Sequence, residues 1–105
     1  MSGTFGEMGN LLKQAQEMQR GLERAKKELE TVRIEGRAGG DAVRVEVDGN
    51  GVVLRVVIHA DAGSDARLLE EIVLAALRDA QGRAARQREE KMGKLMGGLP
   101  LPGLS

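Results

Sequence analysis

From Met8 onward the chain places an apolar residue in alternating steps of three and four: Met8, Leu11, Ala15, Met18, Leu22, Ala25, Leu29 and Val32. That spacing is the seam of a helix packed along a coiled-coil-like line. It predicts a helix over about residues 10–31, roughly 33 Å long at ~1.5 Å per residue. Asn10 is the expected N-cap. A capping box of Thr4 with Glu7 is the alternative start, weakened by Gly6 and Gly9 in that turn. Gly21 falls off the seam, where it should cost about 1 kcal/mol of helix stability relative to Ala. Ordinary core packing is the plainer explanation of the seam, and a partner-binding zipper the sharper one.

After Val32 the period changes to two. Val32 and Ile34 suggest a short first strand that ends at Gly36 and the loop GRAGGD. The segment AVRVEVDGNGVVLRVVIHA predicts a hairpin, with Val43, Val45 and Val47 alternating with charges and DGNG as the turn. In the returning strand Val52, Leu54, Val56 and Ile58 are expected on one face and Val53 and Val57 on the other. A strand apolar on both faces should be covered on both. Two helices can cover one face of a small sheet, and little of this chain is left for the other. A second copy is therefore expected to supply the cover, with Val53, Leu54, Val56 and Val57 at the dimer interface.

The loop DAGSDA offers Asp61 or Ser64 as a cap, and a second helix should start near Asp65. Leu68, Leu69, Ile72, Val73, Ala76, Leu77 and Ala80 give it a broad apolar face, which thins to Ala84, Ala85, Met92, Leu95 and Met96. A helix over about residues 65–96 would be roughly 48 Å long. That outruns a three-stranded sheet whose strands lie about 4.8 Å apart. The expectation is that the aliphatic half docks on the sheet while the arginine-rich half runs past it as a solvated arm. The expected fold is α+β: an α-β-β-β-α protomer with a three-stranded antiparallel sheet between long N- and C-terminal helices. Residues 1–7 are expected to be flexible, 8–96 to form a single domain and 97–105 an unstructured Gly/Pro tail.

Composition narrows this further. The 105 residues include one Phe, no Trp and no Tyr, so the core is aliphatic and modest. Cys is absent, which excludes disulfides and thiolate metal sites and suits a reducing cytoplasm. No apolar run approaches membrane-spanning length, so no membrane partner is expected. His59 is the only histidine and has no companion for a metal or nucleophile set. The glycines of GRAGGD match neither GxxxxGK[ST] nor GxGxxG. Neither an enzyme site, nor a cofactor, nor a small-molecule substrate is expected.

Formal net charge is zero, but the charge is unevenly spread. Between residues 35 and 65 three basic residues face six acidic ones, and between 78 and 94 six basic face three acidic. Arginine forks fit phosphate oxygens and stay charged at any relevant pH. Candidate DNA contacts are Arg78, Arg83, Arg86, Arg88, Lys91 and Lys94, joined on the first helix by Lys13, Arg20, Arg24 and Lys27. Glu23, Glu28, Glu89 and Glu90 interleave with them, so a solvated face laced with salt bridges is the competing explanation. Without aromatic stacking platforms, any nucleic-acid contact would be with duplex phosphates, with little base readout.

MGNLLKQAQEMQ (8–19), EGRAGGDAVRVEVDGNGVVLRVVI (35–58), LEEIVLAALRDA (69–80) and EKMGKLMGGLPLPG (90–103) together resemble the YbaB/EbfC family of bacterial nucleoid-associated proteins. The resemblance implies a tweezer-like homodimer with projecting helices. It also implies that duplex DNA is bound with little sequence specificity and altered in conformation, affecting nucleoid organisation and gene expression in the cytoplasm. The sequence has HADAGSDA where such proteins commonly have Asp-Pro-Ser, and its GRAARQR is more basic than usual. A dimeric helical protein-interaction adaptor without DNA binding is the alternative function.

Overall fold

The computed structural model describes residues 2–97, with side chains described from Gly6 onward. Two long helices enclose three strands in the expected order: α1 (Ser2–Glu30), β1 (Ile34–Ala38), β2 (Val43–Val47), β3 (Val53–Ile58) and α2 (Ala66–Met96). The sheet is antiparallel, in the order β1-β2-β3. A short 3-10 turn, Ala60–Ala62, leads into α2. The remainder of the expected tail, 98–105, lies outside the described residues.

Helix α1 starts earlier than the apolar seam implies. It is helical from Ser2, so Asn10 is an interior residue rather than a cap, and residues 2–7 are helical turns. Helix α2 starts where expected, but its cap is Asp65 rather than Asp61 or Ser64: the Asp65 side chain accepts from the backbone N–H groups of Arg67 (3.1 Å) and Leu68 (3.2 Å).

The core lies between the sheet and α2. Val43, Val45 and Val47 of β2 are wholly buried, as are Ala76, Ala80 and Ala84 of α2. Three small residues one turn apart let the helix lie close to the strands. Gly36 sets how close: a Cβ there would stand 2.3 Å from Ala80 N and 2.6 Å from Ala76 O. Gly36 therefore sits inside β1, opposite Val45, instead of ending the strand. The glycine that reads as a terminator in sequence is the point of nearest helix–strand approach.

Because α2 is pinned over β1, it lies across β1 and β2 and leaves the α2-side face of β3 uncovered. Val53, Leu54, Val56 and Ile58 are all exposed, as is Leu74 of α2. Ile58 lies opposite Val43 and Val56 opposite Val45, so both face the α2 side, whereas Val57 lies opposite Arg44. A bulge at Glu46/Val47 brings Val53, rather than Leu54, opposite Val47. The far face of the sheet is charged, not apolar. Arg37 pairs there with Glu35 at 3.1 Å and with Asp41 at 3.0 Å, and Arg44 lies 3.9 Å from Glu35. The surface that lacks cover is thus on the α2 side of β3, and the expectation of two helices stacked on one face does not hold.

Instead of lying on the sheet, α1 hangs from the β2–β3 turn by its C-terminal end. Ala25 and Leu29 are buried, and Gly49 N–H donates to Leu29 O at 2.8 Å. The Asn50 side-chain amide donates to Lys26 O at 3.1 Å. Asp48 shapes this turn, its Oδ1 accepting from the backbone N–H of Asn50 (2.8 Å) and Val52 (3.1 Å). From Gly6 to Arg20 every residue of α1 except Met18 is exposed, including Met8, Leu11 and Leu12. The molecule is therefore long, 76 × 27 × 18 Å, with a radius of gyration of 20.6 Å. A compact chain of this size would have about 13 Å.

Two glycine substitutions test this packing in opposite directions. Gly36→Ala should destabilise the fold by roughly 2 kcal/mol or more through backbone collision. Gly82→Ala, whose added Cβ would meet only the Arg86 guanidinium at 3.8 Å, should stabilise α2 by about 0.5–1 kcal/mol. Urea unfolding followed by circular dichroism reads both.

Candidate nucleic-acid interface

The two helices cross where both leave the body of the protein. Their contacts run from Glu28 with Lys91 to Gly21 with Leu95, so the pair is antiparallel. Leu95 lies against Gly21, where a Cβ would come within 3.3 Å of its side chain. Gly21, which the sequence marks as a cost within α1, is where α2 packs onto it. The arginine-rich half of α2 is consequently not a solitary arm as expected. Its far end is held against α1, and the free projection is the N-terminal half of α1.

This crossing draws charge together. Arg24 of α1 and Lys91 and Lys94 of α2 line one cleft with Glu28, the only acid in that lining. Glu28 is already engaged, its carboxylate 2.6 Å from the Lys91 ammonium. The hydrogen bond and the positive charge of Lys91 hold the Glu28 carboxyl below its ordinary pKa. Lys13, Arg20, Arg24 and Lys27, spaced by seven, four and three residues, share one face of α1, interrupted by Glu17 between the first two. The crossing thus joins an α1 basic face to the end of α2.

The other candidates fall elsewhere. Arg83 and Arg86 line a second cleft, at the β1 edge, together with Arg33, Gln87, Glu35 and Glu90. Arg33 is not among the sequence candidates; it stands in the α1–β1 connection, outside any basic run, and only the fold brings it to α2. Arg83 is anchored to Asp79, Nε to Oδ1 at 3.2 Å, and the other oxygen of Asp79 accepts from the Arg37 backbone N–H at 3.0 Å. That backbone bond, and then Arg83, hold the Asp79 carboxyl below its ordinary pKa. Arg88 turns toward Gly51 of the hairpin turn. Arg78 is exposed, and on α2 it lies well away from the buried Ala76–Ala80–Ala84 line. His59 is used locally, its Nδ1 accepting from Asp61 N–H at 3.2 Å.

A further surface is apolar. Ile58, Leu69, Val73, Leu74 and Leu77 line an open groove between the uncovered side of β3 and the first turns of α2. No described helix is long and apolar enough to cross a membrane.

An elongated α-β-β-β-α chain with basic clefts has the electrostatic character of a nucleic-acid-binding protein. Residues 5–99 match the YbaB/EbfC DNA-binding family, and the chain belongs to that family. It is 38% identical over 104 residues to a nucleoid-associated protein of Clostridium perfringens, covering 97% of this chain and 93% of the relative. A nucleoid-associated protein of Nostoc sp. is 41% identical over 102 residues, covering 96% of this chain and 89% of the relative. The crystal structure of an uncharacterized Helicobacter pylori protein has the same fold, with a TM-score of 0.75 over 89% of this chain and 97% of that one, at 19% identity. None of these supports the adaptor alternative.

The Asp79 anchor gives a pH-dependent expectation. A carboxyl whose folded pKa lies below its unfolded value contributes stability above the unfolded value, and that contribution is lost as pH falls through the folded one. Asp79→Asn should therefore be less stable than the parent chain at neutral pH, with the gap closing as pH is lowered past about 4. A gap of constant size across that range in urea titrations would rule out the carboxylate charge as its source.

Proposed function

We propose that this protein is a nucleoid-associated protein that grips duplex DNA as a homodimer, with the α1–α2 crossing as its principal phosphate-binding surface. The observation that carries the reading is the cleft of Arg24, Lys91 and Lys94, whose one acid is already paired with Lys91. In a chain of zero net charge, affinity for DNA has to come from local concentration of charge, and the crossing provides it. The α1 face of Lys13, Arg20, Arg24 and Lys27 extends that surface along the projecting helix. Arg83 and Arg86 line a separate cleft rather than this one, and Arg78 and Arg88 are not in its lining.

Lysine and arginine on phosphates fix position and register without reading bases, so binding is weakly sequence-selective and strongly salt-dependent. The relatives that carry the name nucleoid-associated protein support a place at the nucleoid, in the cytoplasm. There the protein alters DNA conformation and thereby affects nucleoid organisation and gene expression.

The homodimer uses the apolar groove and the bare strand beside it. Leu54, Val56 and Ile58 with Val73, Leu74 and Leu77 form an exposed apolar surface on one side of the protomer, of the kind that marks an interface. Val53 joins this surface, and Val57, on the charged face, flanks it from the other side of β3. A two-fold axis through that region repeats each crossing once and fixes the distance between them, which gives the tweezer shape.

Reversing Arg24 and Lys94 together (Arg24→Glu, Lys94→Glu) should lower affinity for random duplexes roughly tenfold or more at low salt, because both phosphate contacts are lost and repulsion replaces them. Fluorescence anisotropy measures it, and undiminished binding would move the contact surface elsewhere. Leu74→Glu, at a position exposed in the protomer, should leave the fold intact and halve the mass seen by sedimentation equilibrium. A variant that stays dimeric would exclude this groove as the interface.

A further inference from the structure

We propose that the cleft between the β1 edge and α2, formed by Arg33, Arg83 and Arg86, is a second seat for a phosphate of the same duplex, and that Arg33 is one of its contact residues. This rests on the DNA-binding reading above.

The three arginines arrive from two distant parts of the chain, and two of them are held in place before any ligand binds. Arg33 Nη1 donates to Glu30 O at 2.7 Å and to Val32 O at 3.1 Å, so the carbonyls at the end of α1 fix its guanidinium. A guanidinium has five N–H groups, and these two bonds use those of a single nitrogen. Glu46 is 4.0 Å from Nε, too far for a hydrogen bond, so the other edge remains available. Arg83 uses Nε on Asp79, itself held by the β1 backbone, and its terminal nitrogens are free of that bond. Arg86 takes part in none of the ion pairs among the described residues.

The acids near the cleft offset this charge only in part: three arginines meet Glu35 and Glu90 in the lining, with Glu46 4.0 Å from Arg33. Glu35, which lines the cleft, is paired with Arg37 at 3.1 Å. Asp79 serves to orient Arg83. Glu90 is the one lining carboxylate outside any of the described ion pairs, and Gln87 beside it is neutral. Pre-oriented planar forks with open N–H edges fit the oxygens of a phosphodiester better than an amine would.

Position ties this seat to the crossing. Arg83, Arg86, Glu90 and Lys94 follow one another at three- and four-residue steps and so share one flank of α2. From Arg86 to Lys94 is about 12 Å along the helix axis. That equals the rise of roughly four base pairs at ~3.4 Å per phosphate on one strand. One DNA backbone could touch both clefts without bending.

The test uses the full-length chain and anisotropy titrations of a random-sequence duplex at several salt concentrations. Arg33→Gln and Arg86→Gln should each reduce the slope of log affinity against log salt by about 1 and weaken binding to all sequences alike, while Arg55→Gln, on the charged sheet face, leaves both unchanged. Circular dichroism and the unfolding midpoint control for loss of the Arg33 cap, and Arg86→Gln tests the cleft without touching that cap. If Arg33→Gln and Arg86→Gln bind as the parent chain does while Arg24→Glu with Lys94→Glu fails, the second seat is wrong and the crossing stands. If the parent chain binds no duplex at low salt, the DNA-binding reading itself falls. Titration with inorganic phosphate alone should leave the side-chain N–H resonances of Arg83 and Arg86 unmoved at low millimolar concentration. A saturable shift there would assign the cleft to a free phosphate ligand instead.

Discussion

The place where α2 passes β1 fixes most of what this protein can do. Nothing larger than hydrogen fits between Gly36 and the backbone at Ala76 and Ala80, so helix and strand are in direct contact. A helix held this tightly over β1 and β2 cannot also cover β3, and an apolar strand remains bare. The same contact fixes the axis of α2, and a 31-residue helix on strands of five and six residues must run beyond them. A bare strand and an overhanging helix are two consequences of one close approach.

The overhang would be a frayed, solvated helix end without α1. The β2–β3 turn holds α1 by Leu29 and Lys26, and the crossing at Gly21 and Leu95 returns it to α2. Individual contacts here are small, since exposed ion pairs such as Lys91–Glu28 are screened by solvent and contribute little. Their value lies in placement. They gather Arg24, Lys91 and Lys94, three of the chain's sixteen basic residues, around a single acid. An evenly mixed surface of the same net charge would offer no such concentration to a polyanion.

Much of the fold was legible in the sequence because its signals are local. Alternation at Val43, Val45 and Val47, the DGNG turn and the start of α2 near Asp65 each state their structure within a few residues. The apolar strand β3 correctly signalled missing cover, but which face lacked it depended on where α2 came to lie. Gly36 was misread because a glycine that permits close approach has the same local signature as one that breaks an element, and nothing local to Gly21 shows that Leu95 packs there. The start of α1 was missed because residues 2–7 lack the alternating apolar spacing that begins at Met8. Among the candidate contacts, residue type was readable but neighbourhood was not. Arg83 and Lys91 lie eight residues apart in one basic run, yet they line different clefts, and Arg33 joins one of these from fifty residues away.

The central claim is that DNA meets this protein at the α1–α2 crossing and along the adjoining flank of α2. Amide chemical-shift mapping of the uniformly labelled protein during addition of a short random duplex tests this most directly. The account predicts shifts concentrated at residues 13–27 of α1 and 83–95 of α2, with Arg44 and Arg55 on the charged sheet face unchanged. Shifts confined to that sheet face, with both helices silent, would contradict it.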